Sequence, residues 1–272
     1  MMPRRSLRPT VAVLAALLAV LPLAACSGSS GGDGTSASTS SASSGDDLSG
    51  SIVVLAASSL TESFTTLGKT FESEHPGSKV TFSFAASSEL VSQIEGGAPA
   101  DVFASASPAT MQQVSDAGAV TGDAPVFVRN SLEIAVPPGN PAKVTGLEDF
   151  ADKSLTIALC APEVPCGAAA TKVFEVAKIT PAPDTLEADV KATLAKVTLG
   201  EVDAALVYKT DVQAAGDKVE GIDFPEASQA INDYPIAVLK DSKDAATAQA
   251  FVDLVRSAEG ASVLTAAGFD VP

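Results

Sequence analysis

The sequence predicts an α/β fold of two lobes around a cleft, each lobe a mostly parallel sheet flanked by helices. Strand-like and helix-like segments alternate from residue 52 to residue 117, which is the order of a doubly wound sheet. A second alternation begins near residue 155. Extended apolar runs at 127–136 and 234–239 flank this second block, and we expect them to connect the lobes.

The first lobe is predicted from three strand–helix units. Residues 52–55 form an uninterrupted aliphatic run, typical of a strand buried on both faces of a sheet. Its helix is predicted to begin at Ser59, because Ser59 and Glu62 form a Ser-x-x-Glu capping box before an apolar stripe. The two following units give strands at 79–84 and 101–105 and helices at 87–95 and 108–117.

Two strand-to-helix junctions of this lobe share one pattern, AASSL and AASSEL. In successive units, they would place Ser59 and Ser87 side by side at the carboxyl edge of the sheet, where doubly wound proteins bind ligands. Helix N-termini present free N–H groups at such an edge, which favours an anion. The simpler alternative is that Ser59 only caps its helix.

The second lobe is predicted from a shorter alternation. Strands are expected at 155–159 and 204–208, with helices at 167–178 and 190–199 between them. Pro181 and Pro183 separate the two helices. A last apolar-striped helix is predicted at 244–256, and we expect it to close the fold after the second crossing.

The N-terminus has the pattern of an export signal. Arginines precede an apolar segment that ends in LAAC, so residues 1–25 are predicted to be a signal peptide with a bacterial lipobox. Cys26 would then become the lipidated first residue, followed by a Ser/Gly-rich tether at 26–49. This predicts an exported protein, lipid-anchored to the outer face of the cell membrane. An ordinary signal peptide with an incidental cysteine is the alternative.

Charge and residue counts exclude several functions. The formal net charge is −16, which argues against nucleic acid as a partner because phosphate contacts need clustered Lys and Arg. The one histidine, His75, lies in a predicted surface turn, so a Ser-His-Asp triad and a histidine zinc site are not expected. Cys160 and Cys166 are expected to form a disulfide in an exported protein; a metal site there lacks further ligands.

A set of motifs resembles a known family. In order they are AASSLTESF, FAASSEL, GAPADVFASA, VPCGAAA, ADVKATLAKV and ALVYKTD. Together they resemble the molybdate-binding component of bacterial ABC importers, which has a type II periplasmic-binding-protein fold. The resemblance runs from about residue 50 to residue 271. It implies a first lobe of residues 50–130 and 237–272 and a second lobe of residues 131–236.

The resemblance also implies a ligand set. Ser59 and Ser87 would each contribute a hydroxyl and a backbone N–H from the first lobe. The second lobe would contribute the N–H groups of Cys166 and Val190 and the phenol of Tyr208. Relatives often carry alanine where this chain has Cys166, but a main-chain contact tolerates that change.

The function implied is capture of molybdate, and of tungstate with it, for delivery to the permease and ATPase of an ABC importer. The chain would be a monomer, perform no catalysis and need no cofactor. Hinges are expected near 128–135 and 234–239. Donor groups alone satisfy an unprotonated tetrahedral dianion, so sulfate remains an alternative, whereas phosphate would want a carboxylate acceptor. Three different functions also stay open: an iron clamp using Tyr208 and Tyr234, a hydrolase using Ser59, and a surface lipoprotein without a transport role.

Overall fold

The structure is a computed structural model that describes residues 48–272. The predicted signal peptide, Cys26 and the tether up to residue 47 lie outside the described residues. Within residues 48–272, no helix has the length and apolar character needed to cross a membrane.

The strands of the described chain are short, and most are buried. They are β1 (Ser49–Ala57), β2 (Gly77–Ala85), β3 (Val102–Ala104), β4 (Val120–Thr121), β5 (Val126–Asn130), β6 (Leu132–Val136), β7 (Ile157–Cys160), β8 (Thr185–Glu187), β9 (Ala204–Tyr208), β10 (Glu220–Ile222) and β11 (Asn232–Leu239).

The helices connect these strands and cover the sheets. They are α1 (Thr61–Glu74), α2 (Ser87–Glu95), α3 (Pro108–Asp116), α4 (Pro165–Ala177), α5 (Val190–Thr198), α6 (Lys209–Ala215), α7 (Ala245–Val255) and α8 (Ala258–Ala266). Short 3-10 turns add to them, one of which, Ser58–Leu60, leads directly into α1.

Two sheets organise the molecule. The first has the order β2-β1-β3-β11-β4, with β5 also paired to β11. The second has the order β10-β6-β9-β7-β8. We call the elements around the first sheet the first lobe and those around the second sheet the second lobe.

The predicted α/β fold of two helix-flanked sheets is confirmed, but each sheet is mixed. The strands β2, β1 and β3 are parallel, as are β8, β7 and β9. The strands that arrive from the other lobe enter antiparallel: β11 against β3, and β6 against β9. The sheets are therefore less parallel than the alternation suggests.

The chain changes sheets at Ser131. The extended run at 127–136, which we expected to continue as one strand past the first sheet, is instead two strands, because β5 ends at Asn130 and β6 begins at Leu132. β5 pairs with β11 in the first sheet, whereas β6 pairs with β9 in the second. A straight strand could not pair with both sheets, so the pairing is interrupted between them.

The lobe boundaries from the sequence remain a proposal. The predicted boundary at 236–237 falls inside β11, and this whole strand pairs with strands of the first sheet. The first crossing, at Ser131, lies next to the predicted boundary at 130–131.

Apolar burial explains why the elements stack as they do. β1 alternates between two core clusters, with Val54 in one and Leu55 in the other, so this strand is buried on both faces as predicted. A third cluster fills the second lobe around Ile134, Phe150 and Leu206. Burial of these side chains fixes both sheets and leaves their carboxyl edges facing each other.

Candidate ligand-binding site

A small cavity lies between the two lobes at the carboxyl ends of their strands. Its volume is about 10 Å³, close to the space that one enclosed water molecule needs. Each lobe supplies one wall. The lining residues are Ala57, Ser58, Ser59, Ala85, Ala86, Ser87, Ala106, Val164, Pro165, Cys166, Asp189, Val190 and Tyr208.

All five residues of the predicted ligand set line this one cavity: Ser59, Ser87, Cys166, Val190 and Tyr208. Ser59 follows β1 and Ser87 follows β2, which is parallel to it. The other three follow or end strands of the second sheet. The structure therefore brings the whole set together, and the role of each as an anion contact stays a proposal.

Ser59 does not cap α1. No side chain caps that helix or the 3-10 turn before it, so the predicted capping box is wrong. The Ser59 hydroxyl instead lies 2.9 Å from the hydroxyl of Tyr234 on β11. The 3-10 turn shifts the start of α1 to Thr61 and thereby frees this side chain for the cavity wall.

Ser87 begins α2 and is 1% exposed. Its Oγ accepts a hydrogen bond of 2.9 Å from the backbone N–H of Ala106. The first helical hydrogen bond here is donated by Leu90 to the Ala86 carbonyl. The N–H groups of the preceding turn, Ser87 included, have no intrahelical acceptor.

Cys166 lies in the first turn of α4. Pro165 has no N–H, and the first helical hydrogen bond runs from the Ala168 N–H to the Val164 carbonyl. The Cys166 N–H therefore belongs to the unpaired end of the helix. Its sulfur is bonded to that of Cys160 at 2.06 Å, which ties the start of α4 to the end of β7.

Gly167 makes this tight connection possible. A Cβ at Gly167 would lie 1.9 Å from the carbonyl oxygen of Ala161, a distance that no side chain tolerates. The first turn of α4 thus packs directly on the backbone of the loop that precedes it, and any larger residue would displace the Cys166 N–H.

Val190 presents its N–H by a different route. Asp189 caps α5, and its Oδ1 accepts from the N–H groups of Lys191 and Ala192 at 2.7 and 2.9 Å. The Asp189 carbonyl accepts from Thr193. The Val190 N–H is the one in this turn that the cap does not use. Asp189 also places a carboxylate at the cavity wall, which sequence reasoning missed.

Tyr208 ends β9 and is 2% exposed. Its hydroxyl has no hydrogen-bond partner among the described residues, although it is buried. Burial, and then the nearby Tyr234 and Asp211, raise the pKa of Tyr208 well above its ordinary value. The phenol therefore stays protonated, with Tyr234 and Asn232 close by, and its proton can be donated at the cavity wall.

A charged cluster lies beside the cavity and joins the lobes. The Lys191 ammonium on α5 lies 2.9 Å from both carboxylate oxygens of Glu62 on α1. It also lies 3.1 Å from the fully buried Asp211 on α6. Burial raises the pKa of Asp211 to about 6, and Lys191 partly offsets this effect.

The site is thus rich in donors and carries no cation of its own. Neither Lys nor Arg lines the cavity, and within residues 48–272 no group of three or more His, Cys, Asp or Glu side chains could hold a metal ion. Hydroxyls and helix N-termini that converge on one small space suit a compact anion.

Comparisons with known proteins identify the family of this chain. The sequence pattern of the family described as bacterial extracellular solute-binding protein matches residues 52–270. The chain belongs to this family. The predicted relationship to solute-binding proteins is confirmed, and membership indicates an exported protein of a non-enzyme family.

Three similar proteins within this group carry names that refer to molybdate or molybdenum. The molybdate-binding protein ModA of Mycobacterium tuberculosis is 41% identical over 222 residues, covering 82% of this chain and 85% of that protein. The substrate-binding domain of a putative molybdenum ABC transporter from Clostridium difficile is 26% identical, with a TM-score of 0.62 over 82% of this chain and 99% of that one. The periplasmic molybdate-binding protein of Azotobacter vinelandii, 20% identical, shares the fold with a TM-score of 0.70 over 81% of this chain and 99% of that one.

Sequence reasoning missed the roles of Asn130 and Tyr234, which lie behind the wall of this candidate site. It identifies Tyr234 only as a possible iron ligand and does not single out Asn130. Tyr234 is fully buried, and burial raises its pKa above the ordinary range, which disfavours the phenolate that iron would require. The sequence feature that could have identified Tyr234 is its position on a predicted strand between the lobes, because such strands pass behind the cleft.

Proposed function

We propose that this solute-binding protein captures molybdate, and tungstate with it, outside the cell and delivers it to the permease and ATPase of an ABC importer. The observation that carries the proposal is the buried Tyr208 hydroxyl, which faces a donor-lined cavity without a partner among the described residues. A buried donor left unpaired costs about 1–3 kcal/mol, so its presence is best explained by a ligand that accepts from it.

The donor set matches a tetrahedral dianion. Molybdate carries no proton at neutral pH, so each of its oxygens can accept from hydroxyl and amide groups. Hydrogen bonds to a charged group contribute roughly 1.5–3 kcal/mol each, and the N-termini of α2, α4 and α5 add favourable dipoles. The five predicted contacts together offset the desolvation of the anion without a lysine or arginine.

Closure of the lobes would complete the shell. Ser59 and Ser87 belong to the first lobe, and the other three contacts belong to the second. An anion held first on one wall is enclosed when the chain bends at the crossings near Ser131 and at the start of β11.

The protein would act as a monomer, lipid-anchored through Cys26, with no cofactor and no catalytic step. The anion is cargo, and the permease recognises the closed form. The polar neighbour of Ser59 is the Tyr234 phenol, which is not a base at neutral pH, so a hydrolase using Ser59 gains no support.

A thermal-shift panel tests this proposal with molybdate, tungstate, sulfate and phosphate. Ligand at a thousand times its dissociation constant stabilises a folded protein by about 4 kcal/mol, which is roughly 10 °C for a domain of this size. We expect this shift with molybdate and tungstate. A sulfate shift as large as the molybdate shift would argue against molybdenum uptake, and no shift with any anion would favour a surface lipoprotein without a transport role.

A further inference from the structure

Helix α6 of the second lobe contacts the first lobe at two places, and the first of them is the crossing itself. The Lys209 N–H donates to the Ser131 carbonyl at 3.0 Å. Thr210 Oγ1 accepts from Asn130 Nδ2 at 2.8 Å. Because Asn130 and Ser131 lie where the chain passes between the lobes, these bonds join α6 to the hinge.

The second contact lies one helical turn further along α6. Gln213 Nε2 donates to the carbonyl of Ala266 at 2.6 Å, and Ala266 is the last residue of α8 in the first lobe. Neither residue belongs to a crossing, so rotation of the lobes displaces one relative to the other. A hydrogen bond is lost once its heavy atoms lie more than about 3.5 Å apart, so this contact belongs to the form in which the lobes have met.

The first-lobe half of this contact is a fixed helix end. The Gly268 N–H donates to the Thr265 carbonyl, and the Phe269 N–H donates to the Leu264 carbonyl. This pair of bonds is a Schellman ending. It does not use the Ala266 carbonyl, which is left for a donor from outside the helix.

The segment that follows this helix end is tied to both strands that connect the lobes. The ring of Phe269 lies 5.4 Å from that of Tyr234 on β11. Asp270 exchanges two backbone hydrogen bonds with Arg129 on β5, at 2.7 and 3.0 Å. The end of α8 therefore offers α6 a fixed docking point beside the hinge.

The second-lobe half is connected to the proposed anion contacts. Helix α6 begins directly after Tyr208. Its Asp211 lies 3.1 Å from the Lys191 ammonium, and Lys191 follows Val190 in α5. Movement of α6 relative to α8 therefore moves two of the five proposed contacts.

Glycine at position 268 allows α6 and α8 to approach. Gly268 has a φ of +93°, and a Cβ there would overlap Gln213 Oε1, so a larger residue would displace the carboxamide from Ala266. Around this point the lobes are not closely packed, because a cavity of about 200 Å³ lies between α1, α6 and the end of α8. Within residues 48–272, the Gln213 bond is the one hydrogen bond between α6 and α8.

We propose that Gln213 and Gly268 form a closure lock, in which the Gln213 carboxamide docks on the end of α8 and thereby slows the release of the captured anion. This inference rests on the proposed function. Gln213 does not line the anion cavity, so it is a positioning residue that acts through the lobes. The anion enters before the lobes meet, so loss of the lock should raise the rate of release and leave the rate of binding unchanged.

Release is measured by loading the protein with radiolabelled molybdate, adding an excess of unlabelled molybdate and following the label that stays bound. Gln213→Ala removes the carboxamide, and Gln213→Glu keeps its size but removes the donor at neutral pH. The matched control is Gln249→Ala, which removes an exposed glutamine whose Nε2 donates to Asp253 at 2.9 Å within α7. Denaturant unfolding of the anion-free proteins measures the stability of the fold.

We expect both Gln213 variants to release molybdate about three- to tenfold faster than wild type, the factor for one neutral hydrogen bond. Gln249→Ala should release it at the wild-type rate. Gly268→Ala should also release it faster, but in the Gln213→Ala background it should accelerate release no further, because no carboxamide remains to displace. An effect of the backbone at position 268 alone would act equally in both backgrounds, so this cycle separates the two explanations.

The outcomes separate this inference from the proposed function. Release from Gln213→Ala at the wild-type rate would overturn the lock and leave the proposed function standing. Equally faster release from Gln249→Ala, or a loss of unfolding free energy in Gln213→Ala as large as its loss of binding free energy, would also overturn the lock, because a loosened fold would explain the effect. Wild type that binds sulfate but not molybdate would overturn the proposed function, whereas faster release of labelled sulfate from Gln213→Ala would still support the lock. Wild type that binds none of the tested anions would overturn both.

Discussion

Replacing Tyr208 by phenylalanine should weaken anion binding without weakening the fold. The Tyr208 hydroxyl is buried and has no partner among the described residues. Its removal therefore breaks no hydrogen bond that the structure shows. The ring remains, and so does its edge contact with Tyr234 at 6.2 Å.

The two effects have opposite signs and can be given magnitudes. An unsatisfied buried hydroxyl costs about 1–3 kcal/mol, so its loss should leave the free energy of unfolding unchanged or raise it by about 1 kcal/mol. A hydrogen bond to a charged ligand contributes about 1.5–3 kcal/mol. Its loss should weaken molybdate binding by about 10- to 100-fold.

Denaturant unfolding without ligand and calorimetric titration with molybdate measure the two quantities. Tyr234→Phe is the control, since its hydroxyl lies 2.9 Å from Ser59 Oγ, and it should lose about 1 kcal/mol of stability. A Tyr208→Phe protein that is less stable than wild type and binds molybdate equally well would refute the reasoning, because the hydroxyl would then be structural.

Three further predictions concern the groups around the cavity. Glu62→Gln should weaken molybdate binding about two- to fivefold at low salt, because it removes the bridge from Lys191 across the lobes without touching the ligand. Asp211→Asn should alter the pH dependence of unfolding, because the pKa of Asp211 is raised to about 6 in the folded protein. Protonation of Asp211 therefore contributes about 3 kcal/mol to the free energy of unfolding below about pH 4, and this contribution is lost as the pH rises through about 6. Replacing Cys160 and Cys166 together by alanine should lower the free energy of unfolding by about 2 kcal/mol and leave molybdate affinity within a few fold, since the expected contact there is a backbone N–H.

Each of these has an outcome that contradicts it. Equal affinity of Glu62→Gln and wild type at low salt would show that the bridge does not favour closure. For Asp211, the stability of wild type minus that of the variant should decline between pH 4 and pH 7; a difference that is flat or rises would mean that this carboxyl is not protonated on folding. A folded double-alanine variant that no longer binds molybdate would show that the disulfide itself positions α4.

The sequence predicts the residues that line the cavity better than the contacts that hold them in place. Long runs such as β1, and α2 with its boundaries at Ser87 and Glu95, are predictable because burial and helical periodicity are local properties. The strands β4, β8 and β10 are missed, since two or three residues carry no periodicity. The five predicted contacts come from a family resemblance, and the structure brings all of them to one cavity.

The capping box at Ser59 shows where local patterns are insufficient. Ser-x-x-Glu is a valid cap in isolation, but Tyr234, distant in sequence, offers the Ser59 hydroxyl a different partner. Glu62 likewise pairs with Lys191 from the second lobe instead of with the start of its own helix. Both choices depend on tertiary contacts between segments far apart in the chain, which no window of sequence contains.

The charge cluster explains how a protein of net charge −16 could hold a dianion without opposing it at the site. Lys191 lies next to the cavity-lining Val190, yet two carboxylates, Glu62 and Asp211, already surround its ammonium. The cation therefore compensates the buried Asp211, which would otherwise repel the ligand. What remains for the anion is a set of neutral donors beside one wall carboxylate, Asp189, which caps α5, whereas a free lysine would attract any anion.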